Sequence, residues 1–272
     1  MRVAYLGPAG TNSEVAALRS MPGAELVPLP TIPAIARAVA SGEVARGIAP
    51  LENSLQGTVT DTVDELIRSD VLAVCGEIVL PIEHCLMAAP GTRAEAIEVI
   101  YSHPQSLGQC RRFLETQFPD VRTEAALSNA EAVAVAMKTP RAAAIGPARA
   151  AEIYGAVILQ RGIEDSRVNK TRFVVLAKEG APPTGRDKTS LAVAVAHDRP
   201  GTLVAVLHEF SDRQINMTRI ESRPSGEELG VYIFLIDIEG HRDDPVVAQA
   251  LASVKEQASF FKIFGSYPAW SE

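Results

Sequence analysis

Cysteine, tryptophan and usefully spaced histidine are scarce in this chain. Three cysteines (Cys75, Cys85, Cys110) and one tryptophan occur in 272 residues. An odd cysteine count without a C-x-x-C spacing argues against a disulfide framework, and small buried apolar side chains are expected instead. The five histidines (His84, His103, His197, His208, His241) include no metal-spaced pair, so no zinc site is expected. No unbroken apolar run is long enough to span a bilayer, and no charged-then-apolar segment follows Met1. The expectation is a soluble, cytoplasmic protein with no membrane partner. Positive charge is also in deficit: 26 Lys and Arg stand against 33 Asp and Glu, a net charge of −7. That balance argues against nucleic acid as a partner. It leaves room for a small anion, which feels local groups rather than the total.

What is present is enough apolar material for two cores, since 47% of the residues are hydrophobic and the length suits two domains. Up to about residue 177 the pattern alternates short apolar strands with helices. Strands are expected at 3–6, 47–50, 71–79, 82–89, 97–101, 142–146 and 173–177, with 157–163 leading back to Asn169. Helices are expected at 13–18, 32–44, 60–67, 102–118, 128–137 and after Pro147. Strands joined through helices by short turns mean an α/β region with largely parallel sheets. Residues 178–188 then carry Gly180, Pro182, Pro183 and Gly185 among charges, a linker composition. Beyond it come a strand at 190–197, a turn at Arg199-Pro200-Gly201 and an amphipathic helix at 202–213 with Leu203, Val206, Leu207 and Phe210 on one face. Strands at 215–221 and 231–238, a helix at 245–257 and a strand at 260–264 complete a βαββαβ, ferredoxin-like unit of about 85 residues.

Five polar stretches interrupt the first region. Gly7-Pro8-Ala9-Gly10-Thr11 lies between a strand and a helix, with Thr11 and Glu14 spaced as a capping box. Free N–H groups at such a turn suit an anion, but no G-K-[ST] ends it, so it is not a nucleotide P-loop. Residues 51–58 are mostly polar and read as a solvated or a binding loop. Ser102-His103-Pro104-Gln105 and Ser128-Asn129-Ala130-Glu131 also fit capping boxes. Asn169-Lys170-Thr171-Arg172-Phe173 sets an amide, an ammonium, a hydroxyl and a guanidinium in succession before an apolar strand. Alternation puts Thr171 and Phe173 on one face and Lys170 and Arg172 on the other. A hydroxyl flanked by cations suits a small anionic substrate; a strand edge with a polar start fits as well.

Taken in order, Gly7-Pro8-Ala9-Gly10-Thr11, Pro50-Leu51-Glu52-Asn53-Ser54, Ser102-His103-Pro104-Gln105-Ser106 and Thr171-Arg172-Phe173 resemble the prephenate dehydratase family. Gly201-Thr202-Leu203-Val204 and Glu221-Ser222-Arg223-Pro224 are similar to the two phenylalanine-binding segments of that family's ACT regulatory domain. The resemblance implies an α/β catalytic domain at residues 1–180, two-lobed like a periplasmic binding protein. One lobe would hold residues 1–80 with 163–180 and the other 81–162, followed by a ferredoxin-like ACT domain at 188–272. It implies a carbon–oxygen lyase acting on prephenate, without a cofactor, in L-phenylalanine biosynthesis. Thr171, Asn53, Ser54 and Gln105 would serve catalysis, and Thr11, Ser106, Arg172 and Phe173 would bind substrate. L-Phenylalanine would bind Gly201, Thr202, Leu203 and Val204 of one chain with Glu221, Ser222, Arg223 and Pro224 of another, in a homodimer or homotetramer. With six residues ahead of Gly7, no chorismate mutase domain is expected. Three positions depart from the family pattern: Ala9 for its usual Glu, Asn12 for a frequent aromatic, and Thr202 for a common Ala. Arogenate dehydratase and a non-catalytic amino-acid sensor are the alternative readings.

Overall fold

The computed structural model describes residues 1–195, 200–226 and 232–271. The expectations for His197, Arg199 and Val231 fall outside these residues. The chain divides into two compact units, Met1–Thr62 with Ile78–Phe173 and Val63–Glu77 with Val174–Glu272.

The chain begins with β1 (Arg2–Leu6), α1 (Asn12–Ser20), β2 (Glu25–Leu29), α2 (Ile32–Ser41), β3 (Arg46–Asn53), β4 (Gly57–Thr58) and α3 (Thr60–Arg68). β5 (Ala73–Pro81) leads to β6 (Cys85–Ala88), β7 (Val99–Ser102), α4 (Pro104–Gln109), α5 (Arg111–Gln117), β8 (Arg122–Ala125), α6 (Asn129–Ala136), β9 (Ala142–Gly146), α7 (Ala148–Tyr154), β10 (Val157–Gln160) and β11 (Lys170–Ala177). Two sheets result. One has the order β2-β1-β3-β11-β5, with β4 paired to β3; the other runs β10-β6-β9-β7-β8.

The second sheet shows how alternation builds a two-faced core. Cys85, Met87, Ala142 and Ala144 point to the side covered by Ala132, Val133 and Ala136 of α6 and by Ala150 and Ala151 of α7. Their neighbours Leu86, Ala88, Ala143 and Ile145 point to the side packed by Leu107, Cys110, Phe113 and Leu114. Both faces are dry, so these strands read as continuous apolar runs. The sheet is nonetheless mixed: β7 is parallel to β8 and β9, while β6 is antiparallel to β9 and β10. The expectation of largely parallel pairing holds for β1 with β2 and β3, but not around β6.

Besides β4 and β10, the strands β2 and β8 were not anticipated. Both lie at sheet edges, where Pro28 and the polar run Arg122-Thr123-Glu124-Ala125 are tolerated and no apolar alternation is needed. The helix expected over 102–118 breaks at Cys110 (φ −113°, ψ 20°) into α4 and α5. Its cap is corrected as well. Pro104 disfavours helical backbone at the preceding residue, so His103 is extended and caps α4 by accepting from Gln105 N, while Ser102 stays in β7.

The second unit contains β12 (Asp187–Val195), α8 (Thr202–Ser211), β13 (Met217–Pro224), β14 (Tyr232–Glu239), α9 (Pro245–Gln257) and β15 (Ala258–Pro268). The antiparallel order β13-β14-β12-β15 is the ferredoxin-like one expected from sequence. Leu191, Val193, Ile236 and Ile238 face Val206 and Phe210 of α8 and Val247, Leu251 and Val254 of α9. The segment from Val63 to Glu77 belongs to this unit. Lys262 Nζ donates to the carbonyls of Ile67 (3.0 Å) and Ser69 (2.7 Å), closing the end of α3. Lys188 Nζ pairs with the buried Glu77 carboxylate at 2.7 Å.

Candidate active site and effector segments

A cavity of about 290 Å³ is lined from both sheets of the first unit. Asn12, Ser13, Asn53 and Thr58 come from the first, Gln105, Ser106 and Asn129 from helix starts on the second. Ile82, His84 and Asn169 come from the two segments that connect them, and these segments are joined by Ile82 N donating to Asn169 O at 2.8 Å. A neighbouring cavity of about 370 Å³ shares Asn12, Ser13, Gln105, Ser106 and Asn129 with it.

Asn53 is the hub. Its Oδ1 accepts from the backbone N–H of Leu55 (3.0 Å) and Gln56 (3.2 Å). A backbone N–H can only donate, so the amide orientation is settled by the loop. Nδ2 therefore faces the other way and donates to Asn169 Oδ1 (2.8 Å) and Thr171 Oγ1 (2.9 Å), with Lys170 O a third acceptor at 3.2 Å. Thr171 Oγ1 accepts from Asn53, which leaves its hydroxyl hydrogen for another partner and makes the oxygen a better proton donor. Asn169 Nδ2 passes the polarity on to Gln109 Oε1 at 3.0 Å.

Sequence-expected residues divide by position. Asn53, Gln105, Ser106, Thr171 and Phe173 line the cavity, Phe173 as a buried apolar wall. Thr11 lines the neighbouring cavity; its hydroxyl caps α1 by accepting from Glu14 N and donates to Leu6 O. Ser54 is exposed and ties its loop down, donating to Val168 O and accepting from Lys170 N, both at 2.9 Å. Arg172 is buried and stands 3.6 Å from Glu52. Neither it nor Lys170 lines the cavity, whose described lining carries no Arg, Lys, Asp or Glu. The loop expected over 51–58 is corrected too: β3 continues through Asn53 and pairs with β4, Asn53 opposite Gly57. On its other side β3 neighbours β11, and Ser54 N donates to Lys170 O at 2.9 Å, which sets Asn53 beside Thr171.

Several lining residues went unread. Gln109 follows Gln105 by four positions and so shares its helix face, a signal obscured by expecting one long helix. Asn129 Oδ1 accepts from His103 N (3.2 Å) and from the buried Ser102 hydroxyl (3.1 Å), so its amino group points elsewhere. Among the described residues no cluster of three or more His, Cys, Asp or Glu is arranged to hold a metal ion, and no helix is long and apolar enough to cross a membrane.

On the glycine-turn side, the capping box is altered. Glu14 is buried, and its carboxylate accepts from Gly10 N (2.6 Å) and pairs with Arg149 of α7 at 3.1 Å. Gly10 adopts φ +88° with Ala150 against it, a place where only glycine fits. Glu14→Ala would remove both partners at once. Its expected cost is about 2–3 kcal/mol in chemical denaturation; a loss near zero would mean that this pair does not hold the turn.

In the second unit, Gly201 caps α8 at φ +93°. Glu221 pairs with Arg219 at 2.7 Å rather than with Arg223. Arg223, whose Nη1 is buried without a described partner, pairs through Nη2 with Asp64 of α3.

The family model described as prephenate dehydratase matches residues 3–181, and the ACT domain model matches residues 189–256. The chain belongs to the prephenate dehydratase family. It is 41% identical over 270 residues to a bifunctional chorismate mutase/prephenate dehydratase of Stutzerimonas stutzeri, covering 98% of this chain and 73% of that one. Among solved structures it resembles a prephenate dehydratase from Arthrobacter aurescens in complex with L-Phe, with TM-score 0.90 and 34% identity over 99% of this chain and 90% of that one. It also resembles GqqA, described as a novel type of quorum quenching acylase, with TM-score 0.89 and 30% identity over 99% and 98% of the two chains. Membership of the prephenate dehydratase family accounts for the order of the four motifs, three of which contribute residues to the two cavities through Thr11, Asn53 and Gln105, and the fourth through Thr171.

Proposed function

We propose that this chain converts prephenate to phenylpyruvate, with Thr171 as proton donor. The observation that carries the proposal is the Asn53–Thr171 hydrogen bond at the wall of a polar cavity, in a chain of this family. As the ring C–COO⁻ bond breaks, its electron pair completes the aromatic ring and expels the ring hydroxyl. Carbon dioxide leaves, and the departing hydroxide takes one proton to become water. Thr171 supplies that proton or a strong hydrogen bond to the leaving oxygen. The absence of cations from the described lining supports this chemistry. A cation on the departing carboxylate would stabilise the ground state, whereas amides and helix N-termini hold a carboxylate more loosely.

L-Phenylalanine acts as the effector, held by Gly201, Thr202, Leu203 and Val204 of one chain and Glu221, Ser222, Arg223 and Pro224 of another, in a cytoplasmic homodimer or homotetramer. Glycine at 201 lets an amino acid approach the backbone. Arg223 would carry the signal to Asp64 of α3, whose first-turn residue Thr62 donates to Pro50 O at 2.6 Å. Effector and substrate then bias one equilibrium.

Ultraviolet detection of phenylpyruvate, with and without phenylalanine, tests both claims. Product from prephenate suppressed by phenylalanine is expected. Product from arogenate alone would replace the substrate, product from neither would remove the catalytic reading, and a flat phenylalanine response would remove regulation only. Because one fold can host several chemistries, the assay rather than the fold decides between this activity and that of the acylase. Asp64→Ala should leave phenylalanine binding measurable by calorimetry but weaken its effect on rate by about fivefold or more; an undiminished response would exclude this route.

A further inference from the structure

The amide chain does not end at Gln109. Its Oε1 accepts from Asn169 Nδ2 and lies 2.8 Å from His84 Nε2. The Asn53 carbonyl is fixed by two backbone N–H groups, so each amide beyond it is fixed in turn, and Gln109 must present oxygen to both neighbours. His84 Nε2 therefore carries the hydrogen and donates. His84 is 2% exposed, and its Nδ1 has no hydrogen-bond partner among the described residues. Its own N–H donates to the Glu164 carboxylate at 2.8 Å, which anchors the backbone beside the imidazole.

We propose that His84 is a positioning residue for Thr171, holding the Gln109–Asn169–Asn53 chain in the one polarity that leaves the Thr171 hydroxyl hydrogen free to be donated. This rests on the dehydratase reading above. The logic is steric and directional. Without a donor at His84, Asn169 Nδ2 alone holds the Gln109 amide, whose buried amino group has no partner among the described residues; when Gln109 turns, its amino group opposes the amino group of Asn169. Asn169 must turn in response, which sets its own amino group against that of Asn53. Asn53 cannot follow, because Leu55 N and Gln56 N hold its oxygen, so the conflict falls on the Asn53–Thr171 contact. Burial, the largest influence on the ring, pushes the His84 imidazole below its ordinary pKa, opposed by Gln109 and by Glu164, the charged group facing it. The ring thus stays neutral and donates at one nitrogen, without becoming a buried cation near a carboxylate that must leave.

The test uses the full chain. His84→Leu removes the donor while keeping an apolar side chain; His84→Gln can return an N–H at the reach of Nε2. His84→Leu should lower kcat by about 10- to 100-fold with KM within about threefold, and His84→Gln should recover most of that loss. In a Thr171→Ala background His84→Leu should cost nothing further, because both act on one step. Equal losses in the two His84 variants, or a full further loss in the Thr171→Ala background, would overturn the proposal. Nitrogen-15 spectra of the wild-type imidazole at pH 7 provide a readout independent of turnover and of variant folding. They should report a neutral ring protonated at Nε2, and protonation at Nδ1 would overturn the assignment even if prephenate proved not to be the substrate.

Discussion

Thr171→Ala should lower kcat by about 10²- to 10⁴-fold while KM for prephenate moves by about threefold or less. The asymmetry follows from when the hydroxyl acts. In the proposed reaction the surrounding amides and helix starts would hold the substrate ground state, with Thr171 contributing one neutral hydrogen bond among several. In the transition state, charge builds on the leaving oxygen, and the proton of Thr171 is what meets it. Thr171→Ser keeps the hydroxyl and should retain most activity, with a penalty for the freer χ1 of serine. Asn53→Ala should behave differently. It removes the donor that polarises Thr171 and also the anchor of the 55–56 loop and of Asn169, so kcat should fall and KM should rise together. Steady-state phenylpyruvate formation separates the two cases. A Thr171→Ala enzyme with near-normal kcat would remove Thr171 from proton donation, and a rise in KM alone would make it a binding group.

The legibility of this site in the sequence has physical limits. Thr171 and Asn53 were named as catalytic through the resemblance to the prephenate dehydratase family; the pattern alone showed a polar loop at 51–58 and a polar start to an apolar strand at 169–173. Alternation also put Arg172 on the face opposite Thr171, and the structure finds it against Glu52. Composition nevertheless favoured cations as the anion's partners, and the described cavity wall has none. A loop of cations is conspicuous in a sequence; amides from five separate segments converging on one cavity are not, because nothing local announces their meeting. His84 and Asn169 are more than 80 residues apart and are brought together only by two connecting segments pairing backbone to backbone. The fold was more legible where a face is buried. The strands of the second sheet carry apolar residues on both sides, whereas β2 and β8 at the edges leave too little pattern to see. The assignment of residues 63–77 was out of reach for a related reason: their partners are Lys188, Lys262 and Gly265, from 111 to 195 residues away.

Gly265→Ala should destabilise the second unit by about 3 kcal/mol. Gly265 lies at a bulge in β15, where Ser190 of β12 faces Gly265 but Leu191 faces Ile263, so one residue is looped out and the strand is turned against β5. A Cβ at this position would overlap the carbonyl oxygen of Val74, and its next nearest atoms are also Val74 backbone. A flexible side chain could rotate away; a strand backbone cannot, so the strain must be relieved by moving β5 or by shifting the bulge. Moving β5 would also disturb Glu77, whose carboxylate takes Lys188 Nζ (2.7 Å) and Trp270 N (3.0 Å) in a buried setting. A displaced carboxylate there leaves Lys188 without its close partner, which adds to the cost. Urea unfolding should show the midpoint falling with little change in slope, since the surface buried is nearly the same. Gly180→Ala, whose added methyl would meet only the end of the Arg242 side chain at 3.5 Å, is the matched control and should change stability by about 0.5 kcal/mol or less. Equal midpoints for the two variants would mean that residues 63–77 do not pack on β15 in solution, and the second unit would then begin only at Val174.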